Sequence, residues 1–264
     1  MLTPFLNQVL LGDNLSVLQQ LPDNAIDMVY LDPPFASSRH YYATNKNGEV
    51  RTFSDVWENL DDYIKWLYLR ITELYRILKP TGTLYLHCDW HANAYIRVKV
   101  LDVIFGQENF RNELIWHYET GGIPKRDFAR KHDTIFRYTK TNNYYFNADP
   151  IRESRSEEVL RRLATGLESA TRSKGELRHP SDIIRIPALN AMANERVKYP
   201  TQKPVELLNH LIWASTKIND VVLDPCCGSG TTLIAAQRSQ RQWIGIDQNP
   251  QAVDTANERL LLDK

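Results

Sequence analysis

A carboxylate, two prolines and an aromatic ring occupy consecutive positions, Asp32-Pro33-Pro34-Phe35, directly after the apolar run Ile26-Asp27-Met28-Val29-Tyr30-Leu31. The run is short and rich in strand formers, and it reads as a buried strand. Neither proline can continue it, because each lacks an N–H and fixes its own φ. Asp32 is biased toward an extended backbone by the proline after it. The carboxylate is thereby fixed at a strand's C-terminal end, where open α/β sheets bind ligands. Around it stand backbone carbonyls that no following strand can use and a ring able to stack. Taken alone, the four residues are equally well a Pro-Pro turn with Asp32 as a turn residue.

A second cluster lies near the other end of the chain. Val221-Val222-Leu223-Asp224 reads as a strand, Pro225-Cys226-Cys227-Gly228-Ser229-Gly230 as a turn, Thr231 onward as a helix, and Trp243-Ile244-Gly245-Ile246-Asp247 as the next strand. Strand, Gly-x-Gly turn, helix, strand and terminal acid are the parts of a nucleoside-cofactor site. The glycines admit backbone close to the ligand, and Asp247 accepts from ribose hydroxyls. A dinucleotide site calls for G-x-G-x-x-G, but the third position is Leu233, and no P-loop lysine follows the glycines. Asp224, immediately before the turn, would repel a phosphate and suit a cation. S-Adenosylmethionine has no phosphate and carries a cationic sulfonium and an α-amine, so the chemistry points to it.

Three segments together resemble the amino DNA methyltransferases: Asp32-Pro33-Pro34-Phe35, then Pro200-Thr201-Gln202-Lys203-Pro204, then Asp224-Pro225-Cys226-Cys227-Gly228-Ser229-Gly230-Thr231-Thr232. The order, catalytic motif first and cofactor motif last, resembles their β class. The likeness includes Lys79-Pro80-Thr81-Gly82 and the stretch from His91 to Trp116, and is weakest from Arg152 to about Ser181. The resemblance implies a Rossmann-like α/β fold with permuted motif order, and transfer of a methyl group to the exocyclic N6 of adenine or N4 of cytosine in DNA. It assigns Asp32, Pro33, Pro34 and Phe35 to catalysis. An exocyclic amine is a poor nucleophile because its lone pair is delocalised into the ring. Accepting its two N–H groups, at the Asp32 carboxylate and the Pro33 carbonyl, returns electron density to nitrogen for in-line attack. The base must leave the duplex to arrive there, and Phe35 offers a face for it.

The resemblance places Asp224, Pro225, Cys226, Gly228, Ser229, Gly230 and Thr231 along the cofactor's methionine part, with Thr201, Gln202 and Lys203 in a neighbouring motif. It also implies that Asp247 holds the ribose and that Asp13 meets the adenine edge; Asp13 could equally cap the helix that follows it. Where the family often has phenylalanine after Asp-Pro, this chain has Cys226, read as a small apolar filler. The aspartate that opens Asp-Pro-Pro-Phe favours adenine, since cytosine-N4 members more often have serine there, so adenine N6 is the expected target and cytosine N4 the runner-up. A nicotinamide-dependent oxidoreductase would leave Asp-Pro-Pro-Phe idle, and a catalytically silent DNA-binding subunit would be expected to show a damaged motif. His87, Cys88 and His91 lack the spacing and the fourth ligand of a structural zinc site, so no metal is expected.

The elements that must position these residues alternate between strand and helix. A helix carries Leu15, Leu18 and Leu21, and another runs from Asp62 to Leu78, stopped by Lys79-Pro80-Thr81-Gly82. Thr83 to Leu86 is a strand, His91 to Phe105 a helix, and Leu114 to Trp116 a strand. Thr134 to Tyr138 forms a strand with Tyr144-Tyr145-Phe146 as its hairpin partner, Arg152 to Arg178 a helix and loop, and a helix follows Pro204 to about Lys217. Pro250 opens the last helix at its first position. Ala36 to Asp55 is polar and reads as a long mobile loop, of the kind that serves as a lid. This alternation gives one α/β domain over 1–264, a mostly parallel sheet with helices on both faces and a small basic target-recognition insert.

Of the 264 residues 42% are hydrophobic and 24% charged, and the formal net charge is zero. That balance hides an asymmetry: from His117 to Lys203 there are 17 Lys/Arg against 11 Asp/Glu. Residues 117–198 are therefore the expected DNA-contacting and target-recognition region. Double-stranded DNA is the expected partner, with a second copy of the chain and a cognate restriction endonuclease as further candidates. Three cysteines make no disulfide framework, no apolar run could span a bilayer, and the N-terminus lacks a signal pattern, so the expected setting is cytoplasmic.

Overall fold

A computed structural model describes all residues except 45–49, 120–121, 166–176, 191, 198, 200 and 264, with the backbone alone for 41–44 and 50–54. In chain order the elements are β1 (Gln8–Leu11), α1 (Asn14–Leu18), β2 (Ile26–Leu31), β3 (Arg39–Thr44), β4 (Val50–Asp55), α2 (Leu60–Ile77) and β5 (Leu78–Cys88). They continue with α3 (Asn93–Ile96), a π-helical turn at Arg97–Leu101, α4 (Asp102–Phe105), β6 (Phe110–His117), β7 (His132–Thr139), β8 (Glu153–Ser154), α5 (Glu157–Ala164), β9 (Leu177–Arg178) and β10 (Ile183–Arg185). The chain closes with α6 (Val205–Ser215), β11 (Val221–Asp224), α7 (Thr231–Arg238), β12 (Gln242–Asp247) and α8 (Pro250–Leu262).

Eight strands form the central sheet in the order β1-β12-β11-β2-β5-β7-β6-β10, and only β7 runs against the others. Every residue of β2 is buried, as befits a strand covered on both faces. Val29 and Leu31 pack with α1, α2 and α4 on one side, through Leu18, Leu67, Ile71 and Phe105. Met28 and Tyr30 pack with α6 and α7 on the other, through Leu208, Leu211, Leu233 and Ile234. Each such fully buried aliphatic side chain contributes roughly 1.5–3 kcal/mol. The expected α/β architecture with helices on both faces is the one found.

Three expectations differ from the structure. The stretch from Ala36 to Asp55 is not a featureless loop: β3 and β4 pair antiparallel from Arg39↔Asp55 to Thr44↔Val50, with Asn45-Lys46-Asn47-Gly48 outside the described residues. Lys79 to Gly82 lie inside β5, which begins as α2 ends and absorbs Pro80 at a register shift opposite Ile26 and Met28. Tyr144-Tyr145-Phe146 is no strand, because both edges of β7 are already taken by β5 and β6. Its rings instead receive the Arg137 guanidinium, 5.2 Å from Tyr144 and 4.6 Å from Phe146. Within the basic region 117–198, β7 and β10 join the central sheet, while α5 has no fully buried residue.

Candidate active site

Three acids stand at the C-terminal ends of three adjacent strands: Asp247 closes β12, Asp224 closes β11, and Asp32 follows β2. One cavity runs across these ends. Of the sixteen residues singled out by sequence, all but Asp13 and Gly230 line it.

Asp32 is held by a residue far away in sequence. Lys203 Nζ donates to Asp32 Oδ2 at 2.5 Å and lies 5.5 Å from the Phe35 ring. Asp32 Oδ1 is buried and, among the described residues, has no hydrogen-bond partner. Buried carboxylate oxygens are normally satisfied, so an unpaired one beside a cavity is poised for a donor. Thr201, two residues before Lys203, has φ +63°, an unfavourable conformation for a β-branched residue. Gln202 spends its side-chain amide on the backbone, accepting from Val197 N at 2.9 Å and donating to Glu195 O at 2.7 Å.

The Phe35 segment is shaped by an acid twenty residues further along the chain. Asp55, only 1% exposed, accepts from the backbone N–H groups of Phe35, Ala36 and Ser37 at 3.1, 2.9 and 2.8 Å. It also accepts from the Ser37 hydroxyl at 2.6 Å and from Trp57 Nε1 at 3.0 Å. This carboxylate holds a turn in which Ala36 and Ser38 have φ of +57° and +55°, conformations that cost free energy in non-glycine residues. Behind Phe35 lies a buried polar chain. His87, fully buried, contacts the Phe35 ring at 5.7 Å, meets the Tyr30 hydroxyl at 2.7 Å through Nδ1 and Asp133 at 3.2 Å through Nε2. The tautomer that donates Nε2–H to Asp133 accepts the Tyr30 hydroxyl at Nδ1.

At the β11 end, burial pushes the Asp224 carboxyl up to about 7. The Thr232 hydroxyl, donating at 2.5 Å, and Cys226 N–H at 3.1 Å offset this only in part. Burial also raises Asp247, which accepts from Gly228 N at 2.9 Å and Asn249 N at 2.8 Å. Two carboxylates that pay for desolvation suit a cationic ligand. Gly228 and Gly230 have φ of +49° and +77°; a Cβ on Gly230 would come within 2.8 Å of Ala256 Cβ, and one on Gly228 within 3.2 Å of the Tyr199 ring. Arg259 of α8 braces the turn by donating to Ser229 O at 2.7 Å and Thr231 Oγ1 at 3.2 Å. Burial, then Asp247 and Asp224, push the Cys226 thiol well above its ordinary range, which argues against a thiolate nucleophile.

Asp13 is used elsewhere. It caps α1 by accepting from Ser16 N at 3.1 Å and pairs with Arg70 at 2.6 Å. Burial alone would raise its carboxyl, but the Ser16 N–H and Arg70 outweigh that and hold it below the usual range. Its neighbour Asn14 lines the cavity instead, donating to Pro225 O at 3.0 Å and accepting from Arg70 Nε at 2.6 Å. Asn14, Asp55, Trp66 and Tyr199 all line the cavity without having been singled out by sequence. An asparagine beside an N-cap, and an acid that closes a polar stretch and not an apolar run, carry no local signal of such a role.

A mostly parallel sheet with a carboxylate-lined cavity over its strand ends, entered by an Asp-Pro-Pro-Phe turn, defines a methyltransferase-type α/β fold. A family model for DNA methylases of the N6/N4 methyltransferase type matches residues 26–258. The type II methyltransferase M.HpaI of Haemophilus parainfluenzae is 30% identical, over 96% of this chain and 74% of its own. The DNA adenine methyltransferase YhdJ of Escherichia coli K12 is 27% identical, over 94% and 81%. Among solved structures, the cytosine-N4-specific PvuII DNA methyltransferase superposes with a TM-score of 0.68 at 20% identity, covering 95% of this chain and 85% of that one. The M1.HpyAVI–SAM complex gives 0.59 at 21%, covering 96% and 98%. The chain belongs to the N6/N4 DNA methylase family, whose methyl donor is S-adenosyl-L-methionine.

Proposed function

We propose that the protein is a site-specific DNA methyltransferase acting on the N6 amine of adenine in double-stranded DNA. The observation that carries this reading is the buried Oδ1 of Asp32, without a partner among the described residues, beside a cavity also lined by Asp224 and Asp247. S-Adenosyl-L-methionine, when bound, supplies an electrophilic methyl on a sulfonium. Asp224 would then face its cationic end, Asp247 would accept from the ribose hydroxyls, and Trp66 and Tyr199, which line the same cavity, would give walls to a flat ring.

Asp32 Oδ1 accepts one N–H of the flipped base and the Pro33 carbonyl the other, which localises the nitrogen lone pair toward the methyl carbon. Lys203 keeps the carboxylate from turning, and Phe35 stacks on the base. As the N–C bond forms and the methyl's bond to sulfur breaks, its electron pair leaving on the neutral thioether, the nitrogen would acquire a positive charge, and the proton it must lose would pass to Asp32 Oδ1. The adenine assignment rests on the aspartate that opens the motif. M.HpaI and YhdJ also support a DNA substrate, and the likeness to a cytosine-N4 enzyme keeps cytosine as the second target to test.

The test is to incubate unmodified genomic DNA with the protein and S-adenosylmethionine, digest it to nucleosides and analyse them by mass spectrometry. N6-methyladenine supports the reading. N4-methylcytosine keeps the mechanism and changes the base, and the absence of both overturns the reading.

A further inference from the structure

We propose that the loop from Gly122 to Lys131 is the arm that enters the duplex during base flipping, with Phe128 filling the gap the extruded base leaves. This rests on the DNA-methyltransferase reading above. Strands β2, β5 and β6 run in the same direction, so Asp32, the Asp89-Trp90 pair after β5 and the residues after β6 emerge at the same end of the sheet. The loop joins β6 to β7 at that end, where Gly122, Ile123 and Arg130 line a cavity with Asp89, Trp90 and Arg39, four residues after Phe35.

Its composition is unusual for a surface loop. Phe128 is 97% exposed and Ile123 92% exposed, and all residues from 122 to 130 are exposed. The same segment carries Lys125, Arg126, Arg130 and Lys131 against the single acid Asp127. Fully solvated aromatic surface amid cations is poorly explained by the isolated chain. It suits a partner that offers phosphates outside and a stack of flat rings inside, and proteins that open DNA insert apolar side chains between bases in this way.

The arm is also tied down at its base. Tyr118 N donates to Lys131 O at 2.9 Å, and Lys131 Nζ donates to Glu119 O at 2.9 Å. The Arg130 guanidinium sits 4.2 Å from the Trp90 ring centroid, and Trp90 stacks on His91 at 3.9 Å. Asp89 in turn fixes His91, accepting from its backbone N at 2.9 Å and meeting Nδ1 at 2.7 Å. The Tyr118 hydroxyl donates to Asp133 at 3.0 Å, and Asp133 meets His87 behind Phe35. These contacts tie the base of the arm, at Tyr118, Arg130 and Lys131, to the side chains packed behind Phe35.

Sequencing the positions methylated in genomic DNA gives the target site, and failure at that stage would count against the enzyme reading and not against the wedge. Duplexes are then prepared with 2-aminopurine at the target base, and separately with an abasic position opposite it. Phe128→Ala should bind S-adenosylmethionine as the wild type does and lose most of the 2-aminopurine brightening on a saturated duplex. Its turnover on the normal duplex should fall roughly tenfold, the worth of one stacked ring. The abasic duplex, whose target base is already unpaired, should restore turnover to near the wild-type value, and Phe128→Leu should keep most of the function. Unchanged brightening and turnover in Phe128→Ala would overturn the proposal, as would a loss that the abasic duplex does not repair.

Discussion

Lys203 reaches across 171 residues of sequence to place Nζ 2.5 Å from Asp32 Oδ2, and the other carboxylate oxygen is buried with no hydrogen-bond partner among the described residues. In the proposed mechanism the ion pair orients the acid and leaves Oδ1 for the substrate amine. Replacing the lysine by an apolar residue of similar length removes the orientation without opening the cavity. Lys203→Met should therefore lower kcat on the order of tenfold to a hundredfold, with less change in cofactor affinity. Single-turnover transfer and calorimetric titration of S-adenosylmethionine, run on the same preparation, separate the two effects. Equal losses in both would assign Lys203 to cofactor binding instead.

Asp55 acts through Phe35. Its carboxylate satisfies three consecutive backbone N–H groups, a hydroxyl and an indole N–H, and removing it leaves those donors buried. Asp55→Ala should cost about 2–4 kcal/mol in denaturant unfolding and should abolish transfer. Asp55→Asn has one oxygen left to accept with and should recover part of the stability but little activity, because the turn needs both oxygens.

Cofactor affinity should depend on pH through Asp224. Its carboxyl rises from the ordinary 3.8 to about 7 in the folded chain, chiefly through burial. Between those values the folded chain holds a proton that the unfolded chain has released. Stability from this group is therefore full below the unfolded value and is lost as pH rises through about 7. A cationic ligand favours the ionised form, so affinity runs in the opposite sense. S-Adenosylmethionine should bind about tenfold more tightly per pH unit up to about 7 and level off above it. Calorimetry from acid to mildly alkaline pH should trace this curve, and Asp224→Asn should flatten it.

The strands that carry the three acids were legible because each is a short run of β-formers ending on a carboxylate, with proline or glycine close behind. The hairpin of β3 and β4 was missed because its polar residues look like a loop until Arg39 is seen opposite Asp55. Asp55 itself carries no local mark: its role comes from the chain folding back so that residues 35–37 point their N–H groups at it. Asp13 and Asn14 show the same limit, since only Arg70 on α2, pairing with the first and donating to the second, decides which of the two faces the cavity. Tyr144 to Phe146 had strand-forming residues but no free strand edge to join.

The most direct test of the account is the Asp32→Ala variant, measured for S-adenosylmethionine binding and for methyl transfer to DNA in parallel. The account predicts near-normal cofactor binding and transfer reduced by at least about a thousandfold, since the acceptor that activates the amine is gone. An Asp32→Ala protein that still methylates DNA at a rate close to the wild type would contradict it.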